Sequence, residues 1–267
     1  VCEKQEFASI GVDINPAMAV FAAAKSGVVV QRADVIRDFA SSLEKQERSE
    51  SAGSDDALSG VVSPSLVPSI RSIYSQIRQA ELGASRLASG LRGKLSRGAS
   101  VTDPIEAFLL AALFVTIREV AKYKKQSNPT WFNGVSDAVE TSFEEFVETY
   151  VANVQRMLDD LATAEVRSRG LVYHASLTGD SKALPVKQQS IDAIITSPPY
   201  LTRIDYAVST QPELLVLGDS QDFRDIRVGT MGAPVITGND WSTSQSWGPT
   251  CNSLLKSISV HKTKAAK

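Results

Sequence analysis

Residues 191–200, Ile-Asp-Ala-Ile-Ile-Thr-Ser-Pro-Pro-Tyr, join an apolar run to a stiff polar loop. The run is continuous rather than alternating, which predicts a buried strand of a parallel sheet. Pro198 and Pro199 cannot donate a backbone N–H, so they end the strand. The Ser197 hydroxyl and the Tyr200 ring then lie at its carboxyl end, where open α/β sheets bind their ligands. The alternative is a simple strand-ending turn, because Pro-Pro pairs commonly mark loops.

Ser-Pro-Pro-Tyr at 197–200 resembles the catalytic motif of the amino-methyltransferases. These enzymes transfer a methyl group from S-adenosylmethionine to an exocyclic amine of a DNA base. Such an amine is a poor nucleophile, and it improves when acceptors hold its hydrogens. The resemblance implies that Ser197 Oγ and the Pro198 carbonyl are those acceptors, kept in place by Pro198 and Pro199. Tyr200 would stack on a base that has been flipped out of the helix.

A second stretch, Gly-Val-Asp-Ile-Asn-Pro at 11–16, predicts a strand followed directly by a helix, with Asn15 as the helix cap and Pro16 in the first turn. It resembles the family motif in which an acid accepts hydrogen bonds from the ribose hydroxyls of the cofactor. The resemblance assigns this role to Asp13 and places Ile14 and Asn15 beside the cofactor. Taken alone, the stretch is equally typical of an ordinary helix N-cap.

Gly179 and Asp180 come at the end of a predicted strand over 171–179. Their spacing to Ser197 is similar to that between the third and fourth motifs of the family, which implies that Asp180 accepts from the adenine amino group of the cofactor. The alternative is a plain turn, for which Gly-Asp is well suited. We interpret His174, inside the strand, as a structural residue, since this chemistry needs no strong base before methyl transfer.

The resemblance implies an α/β fold, the class I (Rossmann-like) methyltransferase sheet. The family carries a glycine-rich turn before the acid, and none precedes Asp13, so we expect a chain truncated at both ends and an incomplete sheet. Helical periodicity predicts a helical subdomain inserted into the core. The expected parts are the first part of the core at 1–40, a flexible connection at 41–64, the helical insertion at 65–168, and the second part of the core at 169–267.

Within the insertion, Asp103-Pro104 predicts the start of an apolar helix, and Asp137 with Glu140 predicts the capping box of the next helix. The basic stretch 122–131, which contains Tyr123 and Trp131, could contact DNA. Lysines at a helix end are also typical of a solvated terminus. A helix is predicted through Leu217, and long loops are predicted over 219–248. Three residues after the catalytic motif are candidates for the base pocket by position alone: Arg203, Asp205 and Tyr206.

The 267-residue chain has a net charge of -2, so any contact with DNA must come from local basic patches. Cys2 and Cys251 lie at opposite ends without metal-ligand spacing, which indicates neither a disulfide framework nor a metal site. The natural location is a reducing cytoplasm. The longest apolar run, 107–117, is too short to span a bilayer, so we expect no membrane association.

Together the three motifs predict a site-specific DNA methyltransferase that uses S-adenosylmethionine, with DNA as its partner and a restriction or defence system as a candidate partner. Ser before Pro-Pro favours N4 of cytosine, because Asp or Asn is commoner there among the N6-adenine enzymes of the family. Methylation of adenine N6 in DNA, methylation of RNA amines and a catalytically silent interaction module stay open as alternatives.

Overall fold

The structure is a computed structural model that describes residues 7–45, 56–80, 82, 89–121, 140–164, 173–196, 205–218, 220–230 and 244–260. The motif at 197–200, Arg203 and the basic stretch 122–131 therefore lie outside the described residues. The chain divides into two compact units, residues 1–233 and 234–267. No helix in the described ranges is long and apolar enough to cross a membrane.

The described part of the first unit is mainly helical, with two strands that frame a long helical region. The strands are β1 (Ser9–Asp13) and β2 (His174–Thr178). The helices before β2 are α1 (Pro16–Ala23), α2 (Gly27–Gln31), α3 (Ala33–Leu43), α4 (Val67–Gln79), α5 (Ser89–Lys94), α6 (Pro104–Val120) and α7 (Phe143–Thr163). Those after it are α8 (Tyr206–Ser209), α9 (Gln211–Leu217) and α10 (Ser220–Gly229).

The predicted strand-to-helix junction at the start of the chain is confirmed. Asn15 Oδ1 accepts a hydrogen bond from Ala17 N at 3.0 Å, and Pro16 is the first residue of α1. Pro fits there because the first N–H groups of a helix have no partner inside the helix. The cap therefore fixes the direction in which the chain leaves β1.

Helix α6 is the centre of the large hydrophobic core. Thirteen of its 17 residues are buried, so it contacts neighbours on nearly every side. Its start is as predicted, since Asp103 Oδ1 accepts from Ile105 N at 2.9 Å and Glu106 N at 3.2 Å. Side chains of α1, α3, α4, α7 and α9 pack in the same cluster. The helices of the predicted insertion thus share one core with the helices that follow β1.

Helix α7 begins later than the sequence analysis predicts. Ser142 Oγ accepts from Glu145 N at 3.1 Å, and Glu145 Oε2 accepts from Ser142 N at 2.9 Å. This reciprocal pair is a complete capping box. The predicted box does not begin this helix, because Glu140 precedes the first helical residue, Phe143; Asp137 lies outside the described residues.

The two strands pair in parallel, with Ser9 opposite His174 and Asp13 opposite Thr178. Alternate residues of a strand share a face. Ala175 and Leu177 form a second, smaller cluster with Leu91 of α5 and with Leu95. Helix α1, which belongs to the large cluster, also packs against both strands. Helices of both clusters therefore contact this pair of strands.

The predicted loops at 219–248 are wrong for α10. Its Ile226 is buried, and Arg227 Nε donates to Asp205 Oδ2 at 2.6 Å. These contacts stabilise a helix that its composition alone does not indicate. In the second unit, a short 3-10 turn at Gln245–Trp247 precedes α11 (Gly248–Ser259), which has no buried residue.

A buried ion pair joins α6 to α9. Arg118 Nε and Nη2 donate to the two carboxylate oxygens of Glu213, whose side chain is fully buried, and Nη2 also donates to the Ser209 carbonyl at 2.7 Å. Both oxygens of the carboxylate are therefore satisfied. The pair fixes where the chain lies after it leaves the predicted catalytic loop.

Arg118→Met should lower the free energy of unfolding by about 3–5 kcal/mol, because it leaves Glu213 buried without a partner. The double variant Arg118→Met/Glu213→Leu should regain most of that loss, since it removes both charges. Urea denaturation measures each effect. In the exposed pair Arg37–Asp34, Arg37→Met should cost at most about 1 kcal/mol. Equal losses in the buried and exposed pairs would contradict the assignment.

Candidate functional site

The carboxyl ends of β1 and β2 bring together residues that are far apart in the sequence. Because the strands are parallel, both end at the same edge of the pair. Gly179 N donates to the Asp13 carbonyl at 2.9 Å, directly beyond the last paired residues. Asp13, Gly179 and Asp180, three of the predicted cofactor residues, therefore lie at one edge. This is the edge at which open α/β sheets bind ligands.

The Asp13 carboxylate keeps hydrogen-bonding capacity. Its Oδ1 accepts from Asn15 N at 2.8 Å, whereas Oδ2 has no partner among the described residues. Neighbouring atoms displace part of the water around the carboxyl and raise its pKa above the ordinary value, which the bond from Asn15 N opposes. The residue is still exposed at the surface. A carboxylate in this setting can accept hydrogen bonds from the hydroxyls of a ligand.

The structure places Asn15 and Ile14 in supporting positions. The Asn15 side chain is buried; besides capping α1, its Nδ2 donates to Thr210 Oγ1 at 2.7 Å. Ile14 packs against the backbone of Gly229, where a Cβ would lie 2.5 Å from Ile14 Cδ1. Thr210 and Gly229 were missed in the sequence analysis, because neither has a local signal for a contact so distant along the chain. Both hold the turn after β1 in place.

Gly179 and Asp180 form the turn that leaves β2. A Cβ on Gly179 would lie 3.1 Å from Val12 Cγ1, so a larger residue would crowd β1. Asp180 Oδ1 accepts from Lys182 N at 2.8 Å, and the Asp180 carbonyl accepts from Ala183 N at 2.9 Å. These bonds are those of a turn built around an Asp side chain. They leave Asp180 Oδ2 without a partner in the described part of the chain.

The buried strand predicted before the catalytic loop is not present. Residues 191–196 form no strand, and Ile191, Ile194 and Ile195 are 38%, 77% and 96% exposed. A strand needs a neighbour with which to pair, and the described strands β1 and β2 pair with each other. The prediction rested on side-chain type alone, which does not specify a partner. The predicted catalytic residues Ser197, Pro198, Pro199 and Tyr200 lie outside the described residues.

Asp205 and Tyr206 are the first described residues after the predicted catalytic motif. Asp205 Oδ1 accepts from Val208 N at 3.1 Å and so caps α8, while Oδ2 pairs with Arg227. Tyr206 is 46% exposed. Of the two pocket candidates that the structure describes, Asp205 is thus committed to structural bonds, and the ring of Tyr206 is open to solvent.

A cavity of about 440 Å³ adjoins the same edge. This volume is within the range of small-molecule sites, which is about 300–1,000 Å³. Thr178 at the end of β2 and Pro16 at the start of α1 line it, but Asp13 and Asp180 do not. Its other walls come from α1, α4, α6, the loop before α6 and the end of α9: Val20, Tyr74, Arg78, Ser100, Val101, Thr102, Asp103, Glu106, Leu110 and Leu217.

His174 lies on the strand pair with both ring nitrogens engaged. Nδ1 lies 2.9 Å from Ser9 Oγ, and Nε2 lies 2.7 Å from Ser176 Oγ. Burial lowers the pKa of the imidazole below its ordinary value. These contacts agree with a structural role for the residue.

Comparisons with family models, with curated proteins and with solved structures gave no match.

The resemblance predicts that Asp13→Asn weakens the binding of S-adenosylmethionine by about 10- to 100-fold, since an amide would replace the charged acceptor of the ribose hydroxyls. Because neighbouring atoms already disfavour the charge of Asp13 by displacing part of its water, the stability of the variant should not fall by more than about 0.5 kcal/mol. Isothermal titration calorimetry and urea denaturation measure the two effects. Asp34→Asn, at a fully open site, is the control. Unchanged cofactor affinity in the Asp13 variant would rule out this role.

The free energy of unfolding should fall as the pH drops below about 6.5, because unfolded His174 binds a proton there while the folded residue does not. The stability advantage of the wild type over His174→Gln should therefore shrink between about pH 7 and pH 5. Denaturation curves across this range measure it. The sequence has two histidines, and His261→Gln serves as the control. A constant difference between wild type and His174→Gln would contradict the prediction.

Proposed function

We propose that the protein is an S-adenosylmethionine-dependent methyltransferase that acts on an exocyclic amine of a DNA base, with N4 of cytosine as the favoured target. The observation that carries the proposal is the parallel pairing of β1 and β2. It brings the motif that contains Asp13 next to the motif formed by Gly179 and Asp180. In the sequence, these two motifs are related only through their resemblance to one family. A chance match of short motifs gives no reason for them to meet at one sheet edge.

The order of strands in doubly wound sheets supports the same proposal. In such a sheet the second and third strands are neighbours, and the first strand lies between the second and the fourth. If β1 and β2 are the second and third strands, they pair directly, as they do here. Residues 191–196, which form no strand, follow β2 at the position of the family's fourth strand, and no first strand with which they could pair is among the described residues.

The described residues fit the cofactor at its nucleoside end. Asp13 Oδ2, which has no partner among the described residues, can accept from the ribose hydroxyls, and Asp180 Oδ2 can accept from an amino group. When bound, S-adenosylmethionine supplies an activated methyl group on a sulfonium. The task of this chain is to hold the acceptor amine. Ser197 Oγ and the Pro198 carbonyl would accept the two amine hydrogens, which turns the nitrogen lone pair outward, while Tyr200 stacks on the flipped base.

One alternative function has an observation in its favour. The exposed state of residues 191–196 favours a catalytically silent protein that uses the fold for interaction, since a catalytic loop has to be held in a fixed position. Adenine N6 and RNA amines remain the other targets for an active enzyme. A restriction or defence system remains the candidate partner.

Protein expressed from the complete gene, incubated with unmethylated DNA and S-adenosylmethionine, should yield N4-methylcytosine. Mass spectrometry of the digested nucleosides identifies the product. Ser197→Ala should lower kcat by at least about 100-fold, because it removes one acceptor of the amine. Tyr200→Ala should also lower kcat, because the flipped base would lose the ring on which it stacks. Ser253→Ala, an exposed serine of α11, is the matched control and should leave the rate unchanged.

Each outcome has a distinct meaning. N6-methyladenine, or methylation of RNA offered in parallel, would keep the reaction and correct the target. The absence of both methyl transfer and cofactor binding would overturn the enzymatic proposal and leave the interaction module.

A further inference from the structure

Helix α5 and the segment that leaves β2 are attached to each other. Leu91 of α5 and Leu95 directly after it are buried in one cluster with Ala175 and Leu177 of β2. Leu95 also pairs with Val186 as an antiparallel bridge. The end of α5 and the segment after β2 therefore lie side by side on the strand pair.

Further hydrogen bonds extend this attachment along the chain. Ser96 N donates to the Pro185 carbonyl at 3.1 Å, and Lys187 N donates to the Lys94 carbonyl at 2.8 Å. The Ser190 hydroxyl donates to the Lys187 carbonyl at 2.7 Å, and it lies 3.4 Å from the Lys94 carbonyl. The backbone that connects these residues is thus held in place by several independent bonds.

Four basic side chains are exposed on this backbone. Two belong to α5 and the stretch after it, and two belong to the segment after β2: Arg92, Arg97, Lys182 and Lys187. We refer to these four residues as the basic surface. None of them forms an ion pair with a carboxylate in the part of the chain that the structure describes.

Neighbouring acidic residues do not balance the charge of the basic surface. Residues 89–98 contain no acidic residue, and residues 180–192 contain two, Asp180 and Asp192. Asp192 Oδ2 accepts from Lys94 Nζ at 2.8 Å, so a fifth cation already matches its charge. The whole chain, in contrast, has a net charge of -2. The basic surface can therefore attract an anionic partner that the chain as a whole does not attract.

The basic surface begins at the candidate edge. Lys182 N donates to Asp180 Oδ1 at 2.8 Å, within the turn that leaves β2. Lys182 and Lys187 are five residues apart, so at most about 17 Å separates their Cα atoms. Duplex DNA carries one phosphate per about 1.7 Å of its axis and presents about ten phosphates over such a distance. Each cation of the surface can therefore meet a separate phosphate.

We propose that the basic surface binds the phosphate backbone of duplex DNA beside the edge that carries Asp13 and Asp180. The choice of duplex DNA rests on the proposed methyltransferase function, and the inference adds the surface on which that substrate lies. Contacts with phosphates position a protein on DNA without reading its sequence. Exposed cations without a carboxylate partner suit this task, because no ion pair has to be broken when a phosphate binds.

The salt dependence of DNA binding tests the surface directly. The full chain, without cofactor, is titrated into a fluorescently labelled duplex of about 20 base pairs, between about 50 and 200 mM salt. The triple variant Arg92→Gln/Arg97→Gln/Lys187→Gln removes three of the cations. Lys182 is left unchanged, because it adjoins the proposed cofactor residue Asp180.

The expected result follows from the release of counterions. Each lost phosphate contact lowers the slope of log K against log salt by about 0.9, so the triple variant should lose about 2.7 from the slope. Over this fourfold range of salt, the affinity of the wild type should fall about 40-fold more than that of the variant. The charge-preserving variant Arg92→Lys/Arg97→Lys/Lys187→Arg should keep the wild-type slope.

A second triple variant is the matched control. Lys25, Lys45 and Arg224 are also exposed and form no ion pair among the described residues. Replacing all three with Gln removes the same charge from other segments of the chain. This variant should change the slope by less than about 0.5, because about 0.9 corresponds to one phosphate contact. Circular dichroism checks that each variant keeps its helices.

The outcomes separate the surface from its occupant and from the reaction. An unchanged slope in the triple variant, an equal fall in the control, or no binding of DNA by the wild type would overturn the basic surface. Binding of single-stranded RNA or polyglutamate at least about tenfold tighter than binding of the duplex would overturn duplex DNA as the occupant. DNA binding that depends on the basic surface, without any methyl transfer, would keep this surface and overturn the proposed methyltransferase.

Discussion

The parallel pairing of β1 and β2 is the constraint on which the rest of the structure depends. It joins Ser9 to His174, 165 residues apart, so the whole of α1 to α7 lies inside the loop that the pairing closes. Closing a loop of this length has an entropic cost, which grows slowly with length and has to be offset by contacts inside the loop. The core around α6 provides those contacts, because α6 packs against helices from both ends of the enclosed chain. The geometry of the candidate site is therefore a consequence of helix packing.

Polar side chains fix the chain that follows residues 197–204. Arg71 donates to both carboxylate oxygens of Asp56 at 2.8 and 2.9 Å and to the carbonyls of Leu215 and Val216, which are among the last of α9. The guanidinium holds the pKa of Asp56 below its usual range. The pair formed by Arg118 and Glu213 acts at the start of the same helix. These polar contacts hold α9 in addition to the burial of its Leu214, Leu215 and Val216 in the large core.

The features that the sequence predicts well are those with local causes. Asn15 and Pro16 set the junction after β1, and Asp103 sets the start of α6, since in each case the cap and the helix are adjacent in the chain. The segment 191–196 was mispredicted, because whether an apolar run forms a strand depends on a partner elsewhere in the chain. Helix α10 was missed for the same reason, as the contacts of Ile226 and Arg227 are tertiary.

The residues of the candidate site differ in the same way. Asp13, Gly179 and Asp180 belong to recognisable motifs and lie at one sheet edge, whereas their neighbours Thr210 and Gly229 carry no signal in the sequence. Physical proximity, rather than residue type, identifies such residues.

The exposed isoleucines also affect how the protein behaves at high concentration. Residues 191–196 combine β-branched side chains with backbone groups that have no partner among the described residues, which is the composition of segments that pair between chains and aggregate. Two features of the sequence oppose this self-association: the charge of Asp192 within the segment, and Pro198 and Pro199 immediately after it, which cannot extend an intermolecular strand. We therefore expect Asp192, Pro198 and Pro199 to act as gatekeepers against aggregation.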